Sequence, residues 1–246
     1  MGEIKDAPKS IPDNMYNDYI MNGKANIEYK YGNDCSQEIQ DMINENFTKE
    51  VFDESAKRIQ AREQNYYGPT DTWLYQAFEK YPISDLNVCI VGSTHPWYET
   101  MVMTYGAQKV TVVEYSERKS FHPKIKYIQP HEIGDQKFDA CLSISSFEHD
   151  GLGRYGDPLN PIGDLEAMKN LKSNVKKDGI LFLSVPAGFD KVVFNVHRVY
   201  GKHRFPLLIE GWGLKGIFGQ RPDMFQNDFN GVHGSPYQPV FVLGNK

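Results

Sequence analysis

The chain has 246 residues, 40% of them hydrophobic and 24% charged, with a formal net charge of −5. That length fits one large domain, or a domain with a modest appendage, and can bury a core without disulfides or metals. The acidic balance argues against a nucleic-acid partner, no window holds the ~20 apolar residues of a membrane helix, and the polar N-terminus lacks a signal-peptide core. The expectation is a soluble cytoplasmic protein with no membrane partner. Three scattered cysteines, Cys35, Cys89 and Cys141, read as buried thiols of a reducing compartment.

In chain order, the first 35 residues are rich in Asn, Tyr, Gly and Pro without a period, and read as an irregular arm over the domain. From Ser36 to Arg62 apolar residues at Ile39, Ile43, Phe47, Phe52, Ala56 and Ile59 keep helical spacing, with Ser36 as N-cap. A second helix starts near Thr70 or Asp71, buries Trp73, Leu74, Ala77, Phe78 and Tyr81, and stops at Pro82. These helices form a cap, so the expected division is an arm and helical cap over 1–82 and a Rossmann-like domain over 83–246.

After Pro82 short apolar runs alternate with polar stretches. VCIVG (88–92), KVTVVEY (109–115), KIKYI (124–128), FDACLSIS (138–145) and GILFLSVP (179–186) are β-branched and do not alternate, as parallel strands buried on both faces require. Trp97–Tyr105 and Ile162–Val175 read as crossover helices, and a third helix is expected around Leu207–Glu210. The linkers beside the third strand are too short for full helices, which leaves one face of the sheet thinly covered. WGLKGIFG (212–219) and QPVFVLGNK (238–246) read as an antiparallel closing pair.

Five parallel strands finished by an antiparallel pair resemble the class I S-adenosylmethionine-dependent methyltransferases, and several residues carry the likeness. Gly92 matches the first glycine of that family's turn, whereas Thr94 and Pro96 replace the later ones. Glu114, at the end of VTVVEY, stands where the family's acid accepts the ribose hydroxyls. Glu114 follows Gly92 by about 20 residues, a spacing that dinucleotide folds share, so the pair alone specifies a ribose. FDACLSISSFEHDG is similar to the family's fourth strand ending, and in KKDGILFLSVP Asp178 stands where a glycine is common. Within that superfamily, GSTHPWYE, VTVVEY, SSFEHDGLGRYGDP and FNVHRVYG resemble domain-of-unknown-function family 268, over roughly Asn87–Gly213. In that family the glycine loop is already non-standard.

The resemblance implies S-adenosylmethionine as cofactor, held by Gly92, Ser93, Thr94, Glu114, Tyr115, Ser146 and Glu148, with Ser93 and Thr94 offering hydroxyls where glycine backbone usually serves. It implies methyl transfer to a small polar acceptor, a saccharide among the candidates. His149 and His197 are candidate bases by their unperturbed pKa. Arg154 and Arg198 could orient the acceptor, and Asp157 completes the candidate catalytic set. Each residue also has a structural reading. Glu114 could be a plain strand-end carboxylate, and the Gly151–Asp157 loop could be a turn held by an Arg154–Asp157 pair. No histidine pair has the spacing of a preformed metal site, so no metal is expected. The rival reading at the level of function is a catalytically inactive scaffold that keeps the sheet, and the incomplete glycine loop favours it. A second rival is a nicotinamide or nucleotide-sugar enzyme, which the antiparallel closing pair disfavours.

Overall fold

The computed structural model describes residues 7–228 and 236–246. Ten strands and seven α-helices occupy them, in two sheets. All seven strands expected from the sequence lie in the large sheet: β2 (Asn87–Val91), β3 (Lys109–Val113), β4 (Ile125–Ile128), β5 (Phe138–Ile144), β6 (Val175–Ser184), β9 (Trp212–Phe218) and β10 (Val240–Asn245). Their spatial order is β4-β3-β2-β5-β6-β10-β9. The first five run parallel, and β10 pairs antiparallel with both β6 and β9. β2 is therefore the middle one of the five parallel strands, and the reversal of winding beside it opens a crevice at the carboxyl ends of β2 and β5, where open α/β sheets bind ligands.

The non-alternating strand sequences follow from burial on both faces. Val88 and Ile90 belong to one core layer and Cys89 to the other. The first layer is closed by α4 (Pro69–Lys80) and α5 (Trp97–Thr104), through Leu74, Phe78, Trp97 and Met101. The second is closed by α6 (Gly163–Asn174) and α7 (Arg204–Leu208), through Met168, Leu171, Phe205 and Leu208. Each such side chain, fully buried, contributes roughly 1.5–3 kcal/mol. Cys89 and Cys141 face each other across β2 and β5, and all three cysteines are buried thiols outside any disulfide among the described residues. The linkers on either side of β4 hold no α-helix, only a short 3₁₀ turn (Pro130–Glu132) on the way to β5, in line with their shortness.

Three expectations need correction. The first 35 residues are not irregular where described: α1 (Asp13–Tyr19) and β1 (Asn26–Tyr29) lie there, while residues 1–6 fall outside the described residues. β1 joins β7 (Lys191–Phe194) and β8 (His197–Val199) in a second sheet of order β1-β7-β8, which the sequence reading missed entirely. The single helical stretch from Ser36 is two helices, α2 (Gln37–Asn44) and α3 (Lys49–Gln60). Thr48 interrupts the period by capping α3, its hydroxyl accepting the Val51 N–H at 3.3 Å. Ser36 sits at the N-cap position of α2 without a side-chain cap bond. At the start of β6 Asp178 adopts φ +66°, the left-handed conformation a glycine would take more easily.

Candidate active site

The crevice at the carboxyl ends of the strands is a cavity of ≈1050 Å³. Its lining includes Gly92, Ser93, Thr94, Glu114, Tyr115, Ser146, Glu148, Arg154, His149 and His197, ten of the twelve residues singled out from the sequence. Asp157 and Arg198 are outside it.

At the end of β2 the chain turns at Gly92, whose φ is +78°. A Cβ there would collide with the Ser146 hydroxyl, so glycine is required both by backbone conformation and by the close approach of β5. Gly92→Ala is expected to cost about 1–3 kcal/mol, read as a lower denaturation midpoint; an unchanged midpoint would mean that the turn relaxes. Glu114, 8% exposed, closes the opposite side of the turn. Its Oε2 accepts the Ser93 N–H at 2.7 Å, and its Oε1 accepts those of Tyr115 at 2.8 Å and Ser116 at 3.4 Å. Burial pushes this carboxyl above its usual range, against those bonds and the nearby Arg118. The Ser93 hydroxyl does not serve the cavity: it donates to the buried Glu99 at 2.5 Å. Burial likewise pushes Glu99 up to about 7. Thr94, by contrast, is exposed at the cavity wall.

The end of β5 carries the second half of the site. Ser145 holds φ +53°, rare for a side-chain-bearing residue and a form of local strain often found at functional sites. Its hydroxyl donates to Glu148 Oε1. Glu148 is fully buried, and burial pushes its carboxyl up to about 7. His149 Nδ1 lies 2.6 Å from the Val196 carbonyl, which can only accept, so Nδ1 carries the hydrogen and Nε2 presents its lone pair. Burial, aided by the Arg154 charge, pushes His149 down to about 3; the same two causes push His197 down to about 4. Both rings are therefore neutral acceptors near neutral pH. The His149 ring signals are expected to stay constant in an NMR titration from pH 8 to 5, where an unperturbed histidine shifts near 6.5; a midpoint near 6.5 would refute the buried neutral tautomer.

The GLGRYGDP loop is anchored differently from expectation. Arg154 pairs not with Asp157 but with Asp34 of the N-terminal arm, Nε and Nη2 both at 2.7 Å from Oδ2, and Tyr155 lies under its guanidinium. Asp157 accepts the backbone N–H groups of Gly151 at 2.7 Å, Gly153 at 3.1 Å and Tyr155 at 3.3 Å, which makes it the loop's internal clamp. Arg198 is also not an acceptor ligand. It is fully buried, donating to the carbonyls of Asp150 at 2.5 Å and Glu148 at 3.4 Å, with Asp164 at 3.8 Å. Arg198 thereby holds from below the backbone that carries Glu148 and His149.

Several lining residues gave no sequence signal. Asp34 and Lys30 come from the arm, which Asn195 fixes by exchanging two 3.0 Å bonds with the backbone of Gly32. Ile39, Met42 and Ile43 of α2 turn their apolar side onto the cavity, and Tyr67 and Gln238 complete the wall beside Ser145. The helical period in α2 was legible; that its apolar face covers a cavity and not the core was not.

The sheet order, the antiparallel β10 and the placement of Gly92 and Glu114 define the fold of the class I S-adenosylmethionine-dependent methyltransferases. One solved structure agrees with that fold over nearly the whole chain. Burkholderia thailandensis 1,6-didemethyltoxoflavin-N1-methyltransferase, solved with 1,6-didemethyltoxoflavin and S-adenosylhomocysteine bound, is 10% identical, with a TM-score of 0.54, over 98% of this chain and 93% of its own. The N-methyltransferase NodS of Bradyrhizobium japonicum is 10% identical (TM-score 0.44) over 71% of this chain and 92% of its own. A ribosomal protein L11 methylase of Lactobacillus delbrueckii subsp. bulgaricus is 13% identical (TM-score 0.46) over 72% and 79%. Among curated proteins none matches this chain. Residues 85–231, more than half the chain, match the family described as "Caenorhabditis protein of unknown function, DUF268", and the chain belongs to that family. No helix of the described residues is long and apolar enough to cross a membrane.

Proposed function

We propose that this protein binds S-adenosylmethionine in the crevice and transfers its methyl group to a small polar acceptor, with saccharides the favoured class. The observation that carries this reading is the Glu114 carboxylate, oriented by three backbone N–H groups and lining the cavity beside the positive-φ turn at Gly92. A carboxylate offers about four lone-pair sites, so one stays available for a ribose hydroxyl. Tyr115, Thr94 and Ser146 line the cavity around it, and Ile39 and Ile43 give an apolar cover suited to a nucleobase. These residues fit the group.

When bound, the cofactor supplies an already activated methyl group, so the protein's task is to position the acceptor and accommodate its proton. His149 Nε2, with its tautomer fixed by Val196, and the His197 ring accept hydrogen bonds from acceptor hydroxyls. Arg154 and Asp34 hold the arm over this end of the cavity. Neutral donors and acceptors beside the Tyr66 and Tyr155 rings suit a polyol better than a lipid. The alternative, an inactive scaffold, is favoured by one feature: the Ser93 N–H, which could otherwise face a ligand, is taken by Glu114.

The discriminating experiment is calorimetric titration with S-adenosylhomocysteine, with a nicotinamide dinucleotide as control. Micromolar binding of the first and none of the second supports the methyltransferase reading. No binding of either would leave the scaffold.

A further inference from the structure

The wall of the cavity around Ser145 collects hydrogen-bond acceptors. Glu148 is fully buried; its Oε1 receives the Ser145 hydroxyl, and its Oε2 has no hydrogen-bond partner among the described residues. Gln238 is 1% exposed; its Nε2 donates to the same Ser145 hydroxyl at 3.3 Å, and its Oε1 likewise has no partner among the described residues. His149 adds a third acceptor, Nε2, 3.8 Å from Glu148 Oε1. All three residues line the cavity. An acceptor buried without a donor costs about 1–3 kcal/mol, and folded proteins leave few of them. Two on one hydroxyl's network, at a cavity wall, point to donors that a ligand brings.

We propose that Glu148, Gln238 and His149 form a receptor for an ammonium group, and that a molecule bound in the crevice places a primary amine there. A hydroxyl brings one donor, whereas an ammonium brings three and a charge that matches the carboxylate. The charged neighbours allow it. Arg154 is matched by Asp34, and the guanidinium of Arg198 is committed to the Glu148 and Asp150 carbonyls and to Asp164. Asp164 adds negative potential, burial pushes the Asp150 carboxyl well up and so toward its neutral form, and Tyr67 and His197 are neutral. Since burial holds Glu148 at about 7, the carboxyl carries its proton at pH 6. Entry of the ammonium, its own hydrogens retained, drives that proton into solvent. The inference rests on the methyl-transfer reading only in naming two sources of the amine: the amino-acid end of the cofactor, or an amino-bearing acceptor.

Calorimetry at pH 6, in buffers of differing ionisation enthalpy, counts the protons released. The probes are S-adenosylhomocysteine against 5′-methylthioadenosine, which lacks the amino-acid end, and D-glucosamine against D-glucose, the sugars with and without S-adenosylhomocysteine. At least one amine probe is expected to release about one proton while its amine-free counterpart releases none, and Glu148→Gln is expected to abolish the release. Release confined to the first pair makes the cofactor the source; release in the second makes it the acceptor. Gln238→Leu, which keeps the carboxyl, is expected to weaken the amine probe at least tenfold with release retained. Binding of S-adenosylhomocysteine without proton release, and no preference for glucosamine over glucose, overturns the receptor and leaves the methyl-transfer reading standing. Proton-releasing uptake of glucosamine without binding of S-adenosylhomocysteine does the reverse. Silence from every probe refutes both.

Discussion

Asp164→Ala is expected to destabilise the protein by about 3–5 kcal/mol, the largest effect of any single substitution discussed. Asp164 is fully buried in the first turn of α6 and is the anion shared by two buried guanidiniums. Its Oδ1 lies 2.5 Å from Arg204 Nη2 and 3.8 Å from Arg198 Nε; its Oδ2 accepts Arg204 Nε and the Tyr200 hydroxyl, each at 2.9 Å. Removing it strands two cations away from water, a much heavier cost than the loss of a surface ion pair. Burial alone would raise the Asp164 carboxyl, but Arg198 and Arg204 outweigh it and hold the group below its usual range. A depressed carboxylate contributes stability that is present above the unfolded value near 3.8 and is lost as pH falls through the folded one. The wild-type protein should therefore lose stability in acid through this group, and the Asp164→Ala protein should lack that component. Urea melts at neutral and acid pH test both statements; a loss under 1 kcal/mol would mean that the arginines find other partners. Because Arg198 also holds the Glu148 and Asp150 carbonyls, the variant should exchange the amides of 147–150 faster than wild type.

Glu114→Ala is expected to weaken S-adenosylhomocysteine by roughly 10- to 100-fold. Hydrogen bonds to a charged group are worth about 1.5–3 kcal/mol each, and every 1.4 kcal/mol is tenfold in affinity. The substitution also frees the N–H groups of Ser93, Tyr115 and Ser116, so a stability loss accompanies it and must be measured separately. Glu114→Gln separates the two effects: it keeps a carbonyl acceptor and the side-chain shape while removing the charge, and is expected to fall between wild type and Ala in affinity. Equal affinity in all three proteins would show that Glu114 is only a strand-end clamp.

The sequence carried the large sheet because its signal is local. VCIVG and KVTVVEY are continuous apolar runs, which a strand buried on both faces demands and an exposed one does not tolerate. The Gly92–Glu114 pair was legible for a similar reason, each residue being fixed by the end of its own strand. The Glu148–His149 pair was visible as chemistry, but its roles were not. In sequence His149 is a histidine of ordinary pKa; the Val196 carbonyl, 47 residues away, fixes its tautomer.

What the sequence determined by itself, then, is the alternation of buried strands and crossover helices and the residue types that gather at the strand ends. Only the tertiary structure decided that the arm forms β1 and pairs with β7, that Arg154 turns to Asp34 and not to Asp157, and that Arg198 lies under the site instead of in it. Those outcomes depend on partners far apart in the chain, such as Gly32 with Asn195 or Asp164 with Arg204. A charged or amide side chain reads the same in sequence whether it meets water or a buried partner. Burial assigns it to one or the other, since a polar group removed from water must find its donor or acceptor inside.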